Sequence, residues 1–280
     1  MAIVGLGLMG GSLAYDLGGH CREIVGVSRS PATLRHARRC GLIDRAATFD
    51  AALDSDLLVL ATPVRTILAQ LRRMGQRKSE AGHGTVVLDL GSTKAEIVRL
   101  MESLPACYDP IGGHPMCGKE KSGIRNAEAG LYRGRVFILT PLARTSPRAL
   151  QLVQEVIAVI GAHPLILSAE RQDALVALTS HLPYLLACAL MRTVLAGESD
   201  EVWRVAASGF RDTSRLAASD VKMMMDVLLT NRQAVIAALE RYSLELDNLL
   251  SLLRTGDEPG LYAALAPARN QRAALFNHLS

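Results

Sequence analysis

Aromatic residues are scarce: Phe, Trp and Tyr make up 4% of the 280 residues, with a single Trp. Proteins that hold single-stranded nucleic acid by stacking its bases need more aromatic platforms than that. Cysteine is sparse as well. Cys21, Cys40, Cys107, Cys117 and Cys188 are odd in number, scattered, and never spaced as C-x-x-C. That pattern argues against a disulfide framework and against a zinc site; reduced thiols in a cytoplasmic protein are expected, with no metal. Charge of one sign is missing too. The chain carries 31 Lys and Arg against 27 Asp and Glu, a net +4. A mild positive excess suits a small anionic ligand and does not demand nucleic acid. No apolar run reads as a membrane span. The stretch Leu182–Leu195 is interrupted by Arg192, is too short, and is expected to be a buried core helix. The apolar N-terminus has no basic region ahead of it and does not read as a signal peptide.

What the chain does have is apolar mass. Hydrophobic residues make up 49%, enough for a sizeable core in one large or two medium domains. The first two-thirds alternate short β-rich runs with helical stretches. Strands are expected at Ala2–Val4, Ile24–Val27, Asp56–Thr62, Thr85–Leu90, Val136–Thr140 and Pro164–Leu167. Helices are expected near Gly10–Leu17, from Ser30-Pro31 to about Gly41, from Lys94 to about Leu104, and across Pro147–Ile160. This alternation is the signature of a doubly wound sheet. After Ser168 no convincing strand follows. Ala169–Ala196, Val221–Leu253 and Leu261–Leu279 show helical periodicity instead. The middle segment carries more apolar positions than a lone solvent-facing helix would, so a partner subunit is expected against it. The fold class is therefore α/β, a Rossmann-type doubly wound sheet over residues 1–168 followed by an all-α dimerisation and substrate domain over 169–280.

The sharpest motif is Gly5-Leu6-Gly7-Leu8-Met9-Gly10, between the first strand and the first helix. The first glycine permits the tight turn. The second lets the backbone approach a pyrophosphate, and the third lets helix and strand pack closely. Gly5, Gly7, Leu8, Met9 and Gly10 are thus candidate dinucleotide-binding residues, with Thr62 and Pro63 at the end of a neighbouring strand. The end of the second strand bears on which dinucleotide. NAD enzymes usually place an acid there for the ribose 2′-hydroxyl. This chain has Ser28-Arg29, which suits a 2′-phosphate. NADP is expected in preference to NAD, against the plain alternative that Arg29 is a solvated loop residue.

Three further segments carry chemistry. Gly112-Gly113-His114-Pro115-Met116 places a histidine at a strand end, Ser180-His181-Leu182-Pro183 opens the second domain, and Ser208–Arg215 reads as polar and turn-like. Together with Val4–Ser12 and Gly91-Ser92-Thr93-Lys94, and in this order, they resemble the prephenate/arogenate dehydrogenase family of tyrosine biosynthesis over nearly the whole chain. The resemblance implies NAD(P)-dependent oxidation of a cyclohexadienyl alcohol with loss of carbon dioxide, in a homodimer. Hydride leaves C4 while the 4-hydroxyl loses its proton, and decarboxylation aromatises the ring. His114 matches the family's catalytic histidine, which suits a neutral imidazole near neutral pH. Ser92 matches the serine that holds its tautomer. Arg215 matches the carboxylate-binding arginine, with Arg211 a nearby second candidate, and His181 matches a second substrate-binding histidine. Lys94 and Lys119 would add positive potential, although a solvated lysine is the ordinary expectation. Asp173, eight residues before His181 on one helical face, is a candidate acid for the ammonium that arogenate carries in place of a keto group. Prephenate versus arogenate stays open.

Two features depart from the family's usual form. The first strand is short, with only four residues before Gly5, which is expected to weaken cofactor affinity. No mutase unit lies before the sheet and no regulatory module after the helices, so tyrosine inhibition through a separate domain is not expected. The competing readings are a 3-hydroxyacid or 6-phosphogluconate-like dehydrogenase, which would use a lysine on a helix of the second domain as acid/base, and a non-catalytic NADP-binding protein.

Overall fold

The computed structural model describes residues 1–77, 84–119, 121–196 and 201–276. Its centre is one eight-stranded sheet in the order β3-β2-β1-β4-β5-β6-β7-β8. The strands are β1 (Ala2–Val4), β2 (Val25–Val27), β3 (Arg45–Ala46), β4 (Leu57–Leu60), β5 (Thr85–Asp89), β6 (Tyr108–Pro115), β7 (Val136–Pro141) and β8 (His163–Ile166). All neighbours run parallel except β6 and β7. The helices on the sheet are α1 (Leu8–Leu17), α2 (Pro31–Arg39), α3 (Phe49–Ala52), α4 (Val64–Gly75), α5 (Ala95–Glu102) and α6 (Pro147–Val159). Helices α7 (Ala169–Val176), α8 (Leu182–Leu195), α9 (Glu201–Val205), α10 (Ser208–Ser214), α11 (Val221–Thr230), α12 (Arg232–Thr255) and α13 (Glu258–Phe276) complete the described chain.

The central strands are buried on both faces because every position is apolar. In β4, which reads LLVL, Leu58 and Leu60 pack with Ala2, Val4 and Val87 on one side of the sheet. Val59 packs with Ile3, Val86 and Leu88 on the other. A parallel sheet covered by helices on both faces requires such runs rather than alternation. The short β1 is not frayed: all three of its residues are buried, and each pairs with β2 and with β4. Helices begin where side chains cap them. Ser30 accepts from Thr33 N with Pro31 at the first helical position, and Ser146 accepts from Ala149 N ahead of Pro147.

Several elements differ from the sequence reading. β3 and α3 were not expected; β3 is two exposed residues, with no apolar pattern to betray it. β6 is an eight-residue strand that runs on through Gly112-Gly113-His114-Pro115, and its partner β7 returns antiparallel, so the sheet is not uniformly parallel. Ser208–Arg215 is not turn-like. It forms α10 and enters a 3₁₀ turn, Arg215–Ala218, and both pack against α8. The segment Val221–Leu253 is two helices rather than one, broken at Asn231, whose backbone leaves helical geometry at φ −118°, ψ 28°. The last helix spans Glu258–Phe276, and the expected continuation to Leu279 lies outside the described residues.

Leu182–Leu195 is likewise not a separate buried core helix. A π turn, Ala177–His181, joins it to α7, so 27 residues from Ala169 to Leu195 run on as one helix. That helix is long and apolar enough, by length and composition, to cross a membrane. Only Tyr184 and Ala187 of α8 are buried, whereas α7 and the π turn bury Gln172, Asp173 and His181.

The chain divides into two compact units, Met1–Arg232 and Gln233–Ser280. Helices α7 to α11 thus belong with the sheet. The second unit consists of most of α12 and all of α13 and exposes Leu244, Leu246, Leu250, Leu253, Tyr262, Leu265 and Leu275.

Candidate active site

Strands β1, β2, β4, β5 and β6 run parallel, so their carboxyl ends share one edge, where an open α/β sheet binds its ligands. At the end of β1, Gly5 adopts φ +100°, and a Cβ there would lie 2.7 Å from Ala61 O. A Cβ on Gly10 would come within 2.0 Å of Gly5 O, so α1 rests directly on the turn. Gly7 is different. It is the N-cap of α1, no side chain caps that end, and a Cβ on Gly7 would meet nothing within 4 Å. The turn therefore presents open space in front of free helix N–H groups with no acid in the first turn, which fits a pyrophosphate. Leu8 is buried and Met9 half-buried behind it, with Met9 O accepting from Tyr132 Oη at 2.7 Å. Ser28 and Arg29 follow β2, Ser28 half-buried and Arg29 exposed; Ser28 Oγ accepts from Ser30 N. After β4, Thr62 Oγ1 donates to Gln70 Oε1 and Pro63 is the N-cap residue of α4.

The chemical end of the edge is built on a buried ion pair. Asp89, the last residue of β5, and Lys94, just before α5, are both 0% exposed and meet at 2.5 Å. Lys94 Nζ also donates to Gly91 O (3.2 Å) and Gly113 O (2.6 Å). Asp89 in turn accepts from Gly91 N and Gly113 N. Three ammonium protons thus find three acceptors. Burial pushes the Asp89 carboxyl up and the Lys94 ammonium down, and their mutual attraction opposes both shifts. Because every ammonium proton has an acceptor and both carboxylate oxygens have donors, the charged pair is the form the geometry fits. Lys94 is therefore no solvated lysine. The two glycines of β6 make room for it: a Cβ on Gly112 would lie 2.9 Å from Lys94 Cδ, and one on Gly113 2.8 Å from Asp89 O.

His114 is next in β6, half-buried. Desolvation, with Lys94 and His181 as neighbouring positive charges, pushes its imidazolium down to about 3. The ring is neutral at pH 7 and free to accept a proton. Its Nδ1 lies 3.3 Å from the carboxamide nitrogen of Gln172 on α7. Ser92 is half-buried in the loop between β5 and α5; among the described residues no hydrogen bond joins it to His114, whose Nδ1 faces Gln172.

His181, 1% exposed, closes the π turn. Desolvation pushes it down to about 4, so it too is neutral. Its Nδ1 faces Asn231 Nδ2 at 3.2 Å. Asp173, the candidate acid for a substrate ammonium, is engaged within the fold. It is 4% exposed, and its two carboxylate oxygens accept from Lys94 N (2.7 Å) and Ala95 N (2.8 Å), capping α5. Its burial raises its pKa and those two N–H groups lower it. The residues that sequence reasoning missed are Asp89, Gln172 and Asn231. Asp89 had a signal: a charge ending the apolar run TVVLD demands a partner.

The arginines are placed less tightly. Arg215 is exposed at the start of the 3₁₀ turn on α8, and Arg211 is exposed on α10 and pairs with the adjacent Asp212 at 3.3 Å. Lys119 is on the surface, paired with Glu128. A hydroxyacid-type mechanism would need a lysine free to exchange protons. Lys94 has no such freedom, and it precedes α5 rather than lying in the helical region. Among the described residues no cluster of three or more His, Cys, Asp or Glu could hold a metal ion.

Two family models match the chain: the nucleotide-binding domain of prephenate dehydrogenase over residues 13–166, and the prephenate dehydrogenase dimerization domain over 168–267. A prephenate dehydrogenase of Bacillus subtilis is 31% identical over 98% of this chain and 75% of its own length. The crystal structure of prephenate dehydrogenase from Aquifex aeolicus, in complex with hydroxyphenyl propionate and NAD+, superposes with TM-score 0.89 at 32% identity, covering 98% of this chain and 97% of that one. A Synechocystis arogenate dehydrogenase structure superposes with TM-score 0.84 at 31% identity, over 98% and 99%.

Proposed function

The chain belongs to the prephenate dehydrogenase family, and we propose the following division of labour within it. The protein is an NAD(P)-dependent dehydrogenase that oxidatively decarboxylates prephenate, arogenate or both, in tyrosine biosynthesis. Residues 1–168 bind the dinucleotide through Gly5, Gly7, Leu8, Met9, Gly10, Thr62 and Pro63; residues 169–280 form the dimerisation and substrate domain. A bound dinucleotide supplies the hydride acceptor. His114 takes the proton of the substrate 4-hydroxyl, and the buried Asp89–Lys94 pair holds the neighbouring Gly113 of β6 in place. His181 and Arg215 hold substrate oxygens, and Arg211 lends positive charge at the rim. NADP is used in preference to NAD, supported by Ser28-Arg29 where an acid would repel a 2′-phosphate. A homodimer fits the exposed apolar side chains of α11, among them Val221, Met223 and Met225, and those of the second compact unit. A cytoplasmic location is supported by five free cysteines.

The observation that carries the reading is a neutral imidazole on β6 at the same sheet edge as an open, uncapped helix N-terminus. Steady-state kcat/KM for prephenate and arogenate with NADP and NAD tests it. We expect turnover of at least one substrate, faster with NADP. We also expect His114→Asn to lower kcat by about a thousandfold while dinucleotide affinity is kept. Absence of turnover with all four combinations would overturn the activity, and an unimpaired His114→Asn would overturn the role of His114.

A further inference from the structure

The two histidines are held differently. Asn231 sits at the break between α11 and α12 and is 5% exposed. Its Nδ2 donates to Asp173 O at 2.8 Å. A carbonyl oxygen can only accept, so this bond fixes which end of the carboxamide is nitrogen. The second proton on the same nitrogen then points to His181 Nδ1, 3.2 Å away. Nδ1 must therefore carry a lone pair, and the ring proton of the neutral imidazole must be on Nε2. Asp173 is itself fastened to the start of α5 through Lys94 N and Ala95 N. The lock is thus braced by the sheet rather than by one flexible side chain.

Gln172 offers His114 no such lock. The side chain is 0% exposed, its nitrogen lies 3.3 Å from His114 Nδ1, and its oxygen Oε1 is buried with no hydrogen-bond partner. Among the described residues nothing else ties either end of this carboxamide. Half a turn about its last bond would offer Nδ1 an acceptor instead of a donor, so Gln172 tolerates His114 with its proton on either nitrogen.

We propose that Asn231 is a positioning residue that locks His181 as a permanent hydrogen-bond donor through Nε2, so that His181 grips a substrate oxygen and only His114 accepts the proton. The proposal rests on the dehydrogenase reading above for the word substrate; the lock itself does not. A group that only donates suits a carboxylate or keto oxygen. A proton acceptor must change its protonation during each turnover, which a partner with no fixed orientation permits. The proton passes from the substrate hydroxyl oxygen to the free nitrogen of His114, and His181 exchanges none.

The test is the ¹⁵N spectrum of the histidine side chains in the full-length protein near pH 7, assigned with His114→Asn and His181→Gln. We expect His181 as a single tautomer protonated at Nε2. A His181 protonated at Nδ1, or averaging between the two forms, overturns the lock. Asn231→Asp is near-isosteric but offers only acceptors to His181. It should move the His181 proton to Nδ1 and raise the substrate KM about tenfold, with kcat within about twofold. Equal losses in kcat and KM with an unchanged tautomer would assign Asn231 a merely structural role and sink the proposal. If Asn231→Asp does not fold, the wild-type spectrum still decides. A protein that turns over neither substrate yet shows the expected His181 spectrum refutes the enzyme reading and leaves the lock standing.

Discussion

The glycine turn and the histidine cluster lie at the same carboxyl edge of one sheet, but different physics holds them. The turn is local. Gly5, Gly7 and Gly10 act within six residues of one another, through a positive φ, an open space and a close backbone approach. Nothing in it is charged, and it leaves the helix N–H groups without a side-chain cap. The cluster is long-range. Gln172 reaches His114 across 58 residues of chain, Asn231 reaches His181 across 50, and Asp173 reaches Lys94 across 79. Its centre is a buried charge pair, and beside it stand two imidazoles kept neutral by burial. The comparison teaches that a phosphate site needs only backbone geometry. A site that must hold a proton acceptor in a set protonation state needs several elements to meet.

The largest expected effect tests whether the ion pair holds the cluster. Lys94→Met leaves the Asp89 carboxylate buried without its partner and frees the carbonyls of Gly91 and Gly113. Breaking one side of a buried pair costs about 3–5 kcal/mol. Urea unfolding should show that loss, and Asp89→Leu combined with Lys94→Met should recover part of it, since two apolar groups leave no orphan charge. A single variant that loses less than about 1 kcal/mol would mean that the cluster is held by packing alone, as the turn is.

Acid should separate the two regions next. His114 and His181 titrate near 3 and 4 in the folded chain, against the ordinary 6.5. Below pH 6.5 the unfolded chain binds protons that the native state refuses. The stability contributed by these neutral rings is therefore complete above 6.5 and falls as pH drops toward the folded values. At pH 5 each ring should cost about 2 kcal/mol, and the two together up to about 4 kcal/mol. The double variant His114→Asn/His181→Asn should show a flatter decline in urea midpoint between pH 7 and 5 than the parent. Parallel declines would show that burial does not hold the rings neutral.

The same contrast explains what the sequence disclosed. The glycine turn was readable because each residue acts on its neighbours, and β4 was readable because four consecutive apolar residues admit little else. His114 and His181 were readable as resemblance, but their partners were not. Lys94 looked solvated because lysine usually is, and only the charge at the end of β5 hinted otherwise. Gln172, Asp173 and Asn231 sit in helical patterns where polar residues are ordinary, and their roles exist only once α7 and α11 meet the sheet. The length of β6 was not readable because Gly112-Gly113 has low strand propensity; the close approach of Lys94 and β5 is what requires glycine there. Ser208–Arg215 carries turn-forming residues, yet packing on α8 makes it helical.

The smallest effect belongs to the turn and isolates binding from folding. Gly7 has no atom within 4 Å of where a Cβ would stand, and its φ of −85° is open to any residue. Gly7→Ala should therefore leave the fold intact, with Tm changed by no more than about 2 °C. The added methyl would occupy the space where a pyrophosphate must approach the α1 N–H groups, so dinucleotide Kd should rise about tenfold, or roughly 1.4 kcal/mol. Gly10→Ala sets the contrast, because its methyl would meet Gly5 O at 2.0 Å and disturb the turn itself. Calorimetric titration with NADP and thermal melts of both variants measure the two quantities separately. If Gly7→Ala binds the dinucleotide as tightly as the parent, the open space at Gly7 is not where the phosphates sit. The turn would then be a packing device, as Gly10 alone already makes it.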